Sequence, residues 1–191
     1  MPTGLADTVL LRRTYATGID DLWDALTSAD RLARWFLPVK GELRQGGRYQ
    51  LEGNAGGEIL DCAAPGRLRL TWSVGLEPGF SEVTFRLTPA GPHRTVLELA
   101  HEAVPTPAFR TRYGPAAAGV GWDLTLLRLA RHLAGATLSP DEAAAWQTSA
   151  EARTVITRSG EAWGAAYAAS GADEAAVAST TEATIAFYRE D

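Results

Sequence analysis

Hydrophobic and polar positions change period several times along this chain, and each change predicts an element. Thr8–Ala16, rich in Val, Leu, Thr and Tyr, predicts a strand. Ile19–Thr27 switches to helical spacing, with Ile19, Leu22, Trp23 and Leu26 on one face. Asp20 and Asp21 stand in its first turn, where carboxylates favour the positive end of the helix dipole. Asp30–Phe36 predicts a second short helix, with Leu32, Trp35 and Phe36 on one side, and Pro38 cannot extend it.

From Val39 the period becomes two. Strands are expected at Val39–Leu43, Arg48–Gly53, Glu58–Cys62, Arg67–Val74, Ser81–Thr88 and Thr95–Glu102. Between them lie the turn formers Gly46-Gly47, Gly56-Gly57, Pro65-Gly66, Pro78-Gly79 and Pro89-Ala90-Gly91-Pro92. Successive strands with short turns predict an antiparallel meander. Leu68, Leu70, Trp72 and Val74 share one side, as do Val83, Phe85 and Leu87, and Leu97 and Leu99.

Gly119–Ala134 returns to helical spacing. Trp122, Leu126, Leu129 and Leu133 line one flank; Val120, Leu124, Leu127 and Ala134 line another. Together they span roughly 220° of the helix surface, wider than the stripe of a helix lying simply on a core. This predicts a helix covered on two sides, one by the sheet and the other in part by the C-terminal segment of the chain. After residue 138 the composition becomes Ala-rich and nearly free of strand formers. Ser139-Pro140-Asp141-Glu142 reads as a capped helix start, and Thr148 with Glu151 as a second capping box. Val155, Ile156, Trp163, Ala166 and Tyr167 share a face, and Gly171 ends that helix. Asp173–Tyr188 forms the last helix, with Val177, Thr184, Phe187 and Tyr188 expected inward.

Composition narrows the functional classes. With 46% apolar and 21% charged residues among 191, an ordinary globular core is within reach. The formal charge of −5, without a dense Lys/Arg stripe, argues against a nucleic-acid partner. No apolar run approaches the roughly 20 residues of a membrane span. The opening MPTGLADTVLLRR lacks the basic start and apolar run of a secretory signal, and Cys62 is the only cysteine, so no intramolecular disulfide can form. A cytoplasmic protein is expected.

The motifs, in order, resemble one family. Asp21-Leu22-Trp23-Asp24-Ala25-Leu26-Thr27 is similar to its first helix and Leu32-Ala33-Arg34-Trp35-Phe36 to its second. Gly46-Gly47-Arg48-Tyr49 resembles its glycine turn into the third strand. Gly57-Glu58-Ile59-Leu60-Asp61 through Pro65-Gly66-Arg67-Leu68-Arg69-Leu70-Thr71-Trp72 is the strongest match, and Leu97-Glu98-Leu99-Ala100-His101-Glu102 with Gly121-Trp122-Asp123 completes it. Over residues 8–135 the chain thus resembles the family named for the activator of the heat-shock-protein-90 ATPase, within the START-like/polyketide-cyclase (SRPBCC) superfamily. The resemblance implies an α+β helix-grip fold: a curved antiparallel sheet wrapped around a long C-terminal helix, enclosing a cavity. A START-like domain is expected at 1–138; outside the family pattern, the apolar residues of the segment 139–191 predict a helical extension packed on its own domain or on a mate in a homodimer. The resemblance does not imply one reaction, because members of the superfamily include carriers and cyclases.

The residues themselves offer little chemistry. His93, His101 and His132 have no metal-ligand spacing, and P-loop, dinucleotide and nucleophile-elbow motifs are absent. No metal, cofactor or catalytic residue is expected; Cys62, isolated in a strand, reads as core. His101 shares parity with Leu97 and Leu99 and is expected inward near the end of its strand, and Asp123, amid the apolar arc of the long helix, needs a partner. Glu58 competes with Ile59 for the inward side of its strand. Trp35, Phe36, Tyr49, Trp72, Phe85 and Trp122 are the candidate lining of a cavity, with His101 and Asp123 as its polar contacts. The leading expectation is a non-catalytic domain that binds a small apolar or aromatic molecule. The rivals are an acid/base enzyme on an aromatic, polyketide-like substrate, using His101 and Asp123, and a chaperone-interacting module.

Overall fold

The structure, a computed structural model, describes residues 6–75, 79–136 and 138–189, so the turn expected at Pro78-Gly79 lies partly outside the described residues. It divides into two compact bodies. The first runs to Val104 and takes in Arg128–Ala136; the second comprises Pro105–Leu127 and the chain from Thr137 onward. The compositional boundary at 138 and the division into bodies are therefore different lines.

The first body is a seven-stranded, wholly antiparallel curved sheet. It comprises β1 (Asp7–Tyr15), β2 (Val39–Gly41), β3 (Arg48–Leu51), β4 (Gly56–Ala63), β5 (Arg67–Thr71), β6 (Ser81–Pro89) and β7 (Thr95–Ala103), in the order β1-β7-β6-β5-β4-β3-β2. Helices α1 (Ile19–Thr27) and α2 (Ala29–Trp35) sit between β1 and β2 in sequence. The parity read from the sequence holds: Leu68 faces Phe85 and Leu70 faces Val83, which in turn faces His101, while Leu11 faces Leu99. Leu22, Ala25, Val83, Leu97 and Leu99 lose all exposure to solvent. Burying a side chain of Leu or Val size stabilises by roughly 1.5–3 kcal/mol each.

Several strand expectations change. The segment expected at Arg67–Val74 ends at Thr71, and Val74, expected to share a side with Leu68 and Leu70, is 63% exposed, while the segment expected at Arg48–Gly53 ends at Leu51. The segment expected at Val39–Leu43 stops at Gly41, whose φ of +120° and close approach to the Arg48 carbonyl suit a residue without Cβ. In β4 the register shifts between Ile59 and Asp61, so Ile59 is buried and Glu58 is exposed.

The second body holds α3 (Pro107–Tyr113), α5 (Pro140–Gln147), α6 (Ala150–Ala169) and α7 (Glu174–Arg189); α4 (Ala116–Leu133) contributes its first part here and its last turns to the first body. Helix α4 starts earlier than the expected Gly119, and none of its residues is exposed. Ser139 and Glu142 form the expected capping box. The second box does not form. Thr148 closes α5, and Ser149 caps α6 by accepting from the Ala152 amide. Phe187, expected inward, is 55% exposed. Thr184 is buried as expected, and Thr180 joins it on the inner face of α7 in place of Phe187, because the neighbouring backbone is too close for a large side chain. Thr180 touches the space beside Gly114, and the Thr184 hydroxyl donates to the Tyr113 carbonyl at 3.3 Å.

Candidate functional site

The first body brings together four aromatic rings. Phe36 comes directly after α2 and stacks on Trp35 at 5.4 Å between centroids, with an interplanar angle of 21°. Its ring is also near-parallel to Trp72, 13° at 6.5 Å, and Trp72 meets Tyr49 at 6.5 Å in a tilted contact. The two ends of this row are buried and spend their polar atoms on backbone: Trp35 Nε1 donates to the Ala25 carbonyl at 2.9 Å, and the Tyr49 hydroxyl to that of Thr71 at 2.7 Å. Burial also pushes the Tyr49 phenol well above its usual pKa. The middle pair, Phe36 and Trp72, is only half-buried. Phe85 lies deeper in the sheet, opposite Leu68 and Leu99, at 8% exposure.

A polar pair stands beside that row. The Trp72 amide donates to the Ser81 carbonyl at 2.8 Å, so β6 carries Ser81 alongside Trp72, the residue that follows β5. Ser81 and Val83 share a face, and Val83 is opposite His101. The Ser81 hydroxyl and His101 Nε2 lie 2.9 Å apart. Burial pushes His101 down to about 4, because the charged imidazolium loses its hydration there, so the ring is neutral at pH 7. Among the described residues the Ser81 hydroxyl has no second partner, and a hydroxyl can both donate and accept. Sequence reasoning misses Ser81. Its signal is parity plus register, and the register across β6 and β7 is not written in either strand alone.

Trp122 and Asp123 belong to the second body. Trp122 is 6% exposed. Asp123 has the partners its position demands: Oδ2 accepts from the Ser159 hydroxyl at 2.6 Å and from Trp163 Nε1 at 3.0 Å, both on α6. A Cβ added at Gly119 would overlap the same indole. The glycine and the carboxylate of α4 thus form one seat for Trp163. On α7, the Tyr188 hydroxyl donates to the Ala117 carbonyl at 2.7 Å, and burial pushes that phenol up to about 12. Glycines inside a helical pattern are the readable trace of this packing.

Elsewhere the polar clusters are structural. Arg31 donates through Nε to His132 Nε2 at 2.9 Å and through Nη1 to Asp21 and Asp24, each at 3.0 Å, tying the end of α4 to α1. An open groove of about 620 Å³ between α6 and α7 is lined by Gly164, Val177, Thr181 and Ile185, with Glu161 and Arg189 at its margins. Among the described residues no three His, Cys, Asp or Glu side chains gather to hold a metal ion, and no helix is long and apolar enough to cross a membrane.

An antiparallel sheet with two helices after its first strand and long helices after its last defines the α+β helix-grip class. Residues 16–134 match the profile described as activator of Hsp90 ATPase homolog 1-like protein, and the chain belongs to that family. It is similar to the crystal structure of CalU16 from Micromonospora echinospora, at 34% identity over 86% of this chain and 90% of that one, with a TM-score of 0.68. DynU16, a protein of the dynemicin biosynthetic locus, is 25% identical over 69% of this chain and 48% of its own length, with a TM-score of 0.58. An HSP90 activator from Plasmodium falciparum shares the fold at 22% identity over 67% of this chain and 96% of that one, with a TM-score of 0.59. A comparison with curated proteins gave no match.

Proposed function

We propose that the sheet body binds a small, planar, uncharged aromatic molecule, stacked on Phe36 and Trp72 and anchored at its edge by Ser81 and His101. The observation that carries this reading is the placement of a half-buried ring pair beside the neutral His101 and the Ser81 hydroxyl bonded to it, which can make a further hydrogen bond. Ring stacking supplies affinity and the polar pair supplies orientation, the usual division of labour in a small-molecule site. A histidine pushed down to about 4 is a weak base, which favours binding over proton abstraction at neutral pH. The occurrence of the similar DynU16 in a biosynthetic locus is in keeping with a small-molecule partner. Tryptophan fluorescence titrations with planar phenols and quinones test the reading. Saturable binding is expected, weakened about tenfold by Trp72→Ala or Phe36→Ala and about fivefold by Ser81→Ala, with Trp146→Ala unaffected. If no compound in such a panel gives a saturable response, the reading fails.

A second reading, docking on a protein such as a chaperone, has its own support in the helical body. Phe109, Tyr113 and Phe187 form a continuous ring surface, with Phe109 42% and Phe187 55% exposed and the Arg112 guanidinium 5.1 Å over Tyr113. Exposed aromatic clusters of this kind are typical of interaction surfaces. A Phe109→Ser/Phe187→Ser pair that abolishes chaperone binding in a pull-down, while leaving aromatic-ligand binding intact, would favour it.

A further inference from the structure

Trp72 does not stand on a regular strand. β5 ends one residue earlier, at Thr71, and on the side of β4 the pairing resumes only as a bridge between Gly56 and Ser73, which exchange backbone bonds of 2.9 and 3.0 Å. With Gly56 opposite Ser73 and Ile59 opposite Leu70, Glu58 falls opposite Thr71. An antiparallel ladder makes its next close pair of backbone bonds there, two residues from the bridge. One of those bonds is replaced. The Glu58 amide donates to the Thr71 hydroxyl at 2.8 Å instead of to the Thr71 carbonyl. That carbonyl accepts from the Tyr49 hydroxyl at 2.7 Å.

Gly57 makes the exchange possible. It shares the inner face of β4 with Ile59 and is paired with Tyr49 on β3. A Cβ at Gly57 would overlap both the carbonyl oxygen and the hydroxyl of Thr71. With no side chain in the way, Tyr49 reaches across β4 to β5. Its ring is buried and meets the Trp72 indole at 6.5 Å. Burial raises the phenol pKa, so the hydroxyl keeps its proton and remains a donor. Trp72 therefore follows directly on a residue whose carbonyl is held by a side chain two strands away, and its indole lies 13° from the plane of Phe36.

We propose that Tyr49 is the positioning residue of the aromatic site: it holds the Thr71 carbonyl out of the ladder and so sets the backbone that presents Trp72 parallel to Phe36. The proposal rests on the reading of Phe36 and Trp72 as the stacking pair. Tyr49 acts through Thr71, with Gly57 as the clearance it needs, and makes no contact with the ligand.

Tyr49→Phe tests this, because it keeps the ring and removes only the hydroxyl. The Trp72 part of the near-ultraviolet circular dichroism is isolated by subtracting the spectrum of Trp72→Phe in each background. That part should lose at least half its intensity in Tyr49→Phe. Leu87→Val, a core change six residues along β6 from Ser81, should lower the urea midpoint and leave it intact. Equilibrium dialysis with 2-naphthol should show binding about fivefold weaker in Tyr49→Phe than in wild type. A Trp72 signal unchanged in Tyr49→Phe overturns the proposal, as does one lost equally in Leu87→Val, which would mark general loosening of the sheet. Unweakened 2-naphthol binding by Tyr49→Phe overturns it too. A Trp72 signal lost in Tyr49→Phe while the wild-type chain binds no 2-naphthol supports the hold on Trp72 and counts against the stacking site instead.

Discussion

The two bodies treat a polar residue in an apolar setting in opposite ways. In the sheet, His101 shares one hydrogen bond with a serine that retains spare capacity, and burial holds the ring uncharged. In the helical body, Asp123 spends one oxygen on two donors from α6, and the glycine one turn earlier clears room for the indole that supplies one of them. The helical body thus uses its polar group to fix packing, whereas the sheet body keeps a polar pair next to half-buried rings. A group consumed by packing predicts a stability defect when removed; a group left with capacity predicts a binding defect.

Breaking that contrast gives a graded series. Trp163→Ala leaves a void against Gly119 and strips a donor from Asp123. It should cost about 3–5 kcal/mol in urea unfolding, and deleting residues 139–191 should abolish the cooperative transition or cause aggregation. A truncated chain that stays soluble and equally urea-resistant would show that the extension does not support α4. Next comes pH. The folded-state pKa of His101 lies below its unfolded value, so the unfolded chain takes up the proton first. Stability is therefore full above about pH 6.5 and falls as pH drops towards 4, by up to about 3 kcal/mol. His132, lowered by burial and by Arg31 and Arg34, adds in the same direction. His101→Gln should flatten the urea-midpoint profile over that window; an unchanged profile would place the loss elsewhere. Asp123→Asn keeps an acceptor for Trp163 and should cost about 1 kcal/mol, less than Asp123→Ala. Smallest of all, Arg69→Ala removes an exposed ion pair with Glu82 at 2.8 Å and should change stability by less than about 1 kcal/mol.

How much of this is written in the sequence depends on whether a signal is local. The strand parities of β5, β6 and β7, the inward turn of His101 and the breadth of the apolar arc on α4 come from periods of two and 3.6, and the structure reproduces them. Helix α3 escapes a reading of the sequence although Thr106 caps it and Pro107 opens it, because a seven-residue helix has no periodicity to display. Hydrophobicity ranks Phe187 above Thr180 as an inward residue, but close helix packing selects for small side chains before apolar ones. Within the candidate site, the sequence names the rings but not their grouping. Trp35, Phe36, Tyr49 and Trp72 meet through the turn after α2 and the β3–β4–β5 register, and Ser81 through a bond between strands.

The hydrogen bond from Trp163 to Asp123 also has an optical consequence. On excitation an indole moves electron density away from its pyrrole nitrogen, and a carboxylate beside that nitrogen stabilises the excited state. Trp163 should therefore emit to the red of the other buried indoles, with a component that disappears in Asp123→Ala. That emission gives the seating of α6 on α4 a colour of its own, separable from any signal that arises at Trp72.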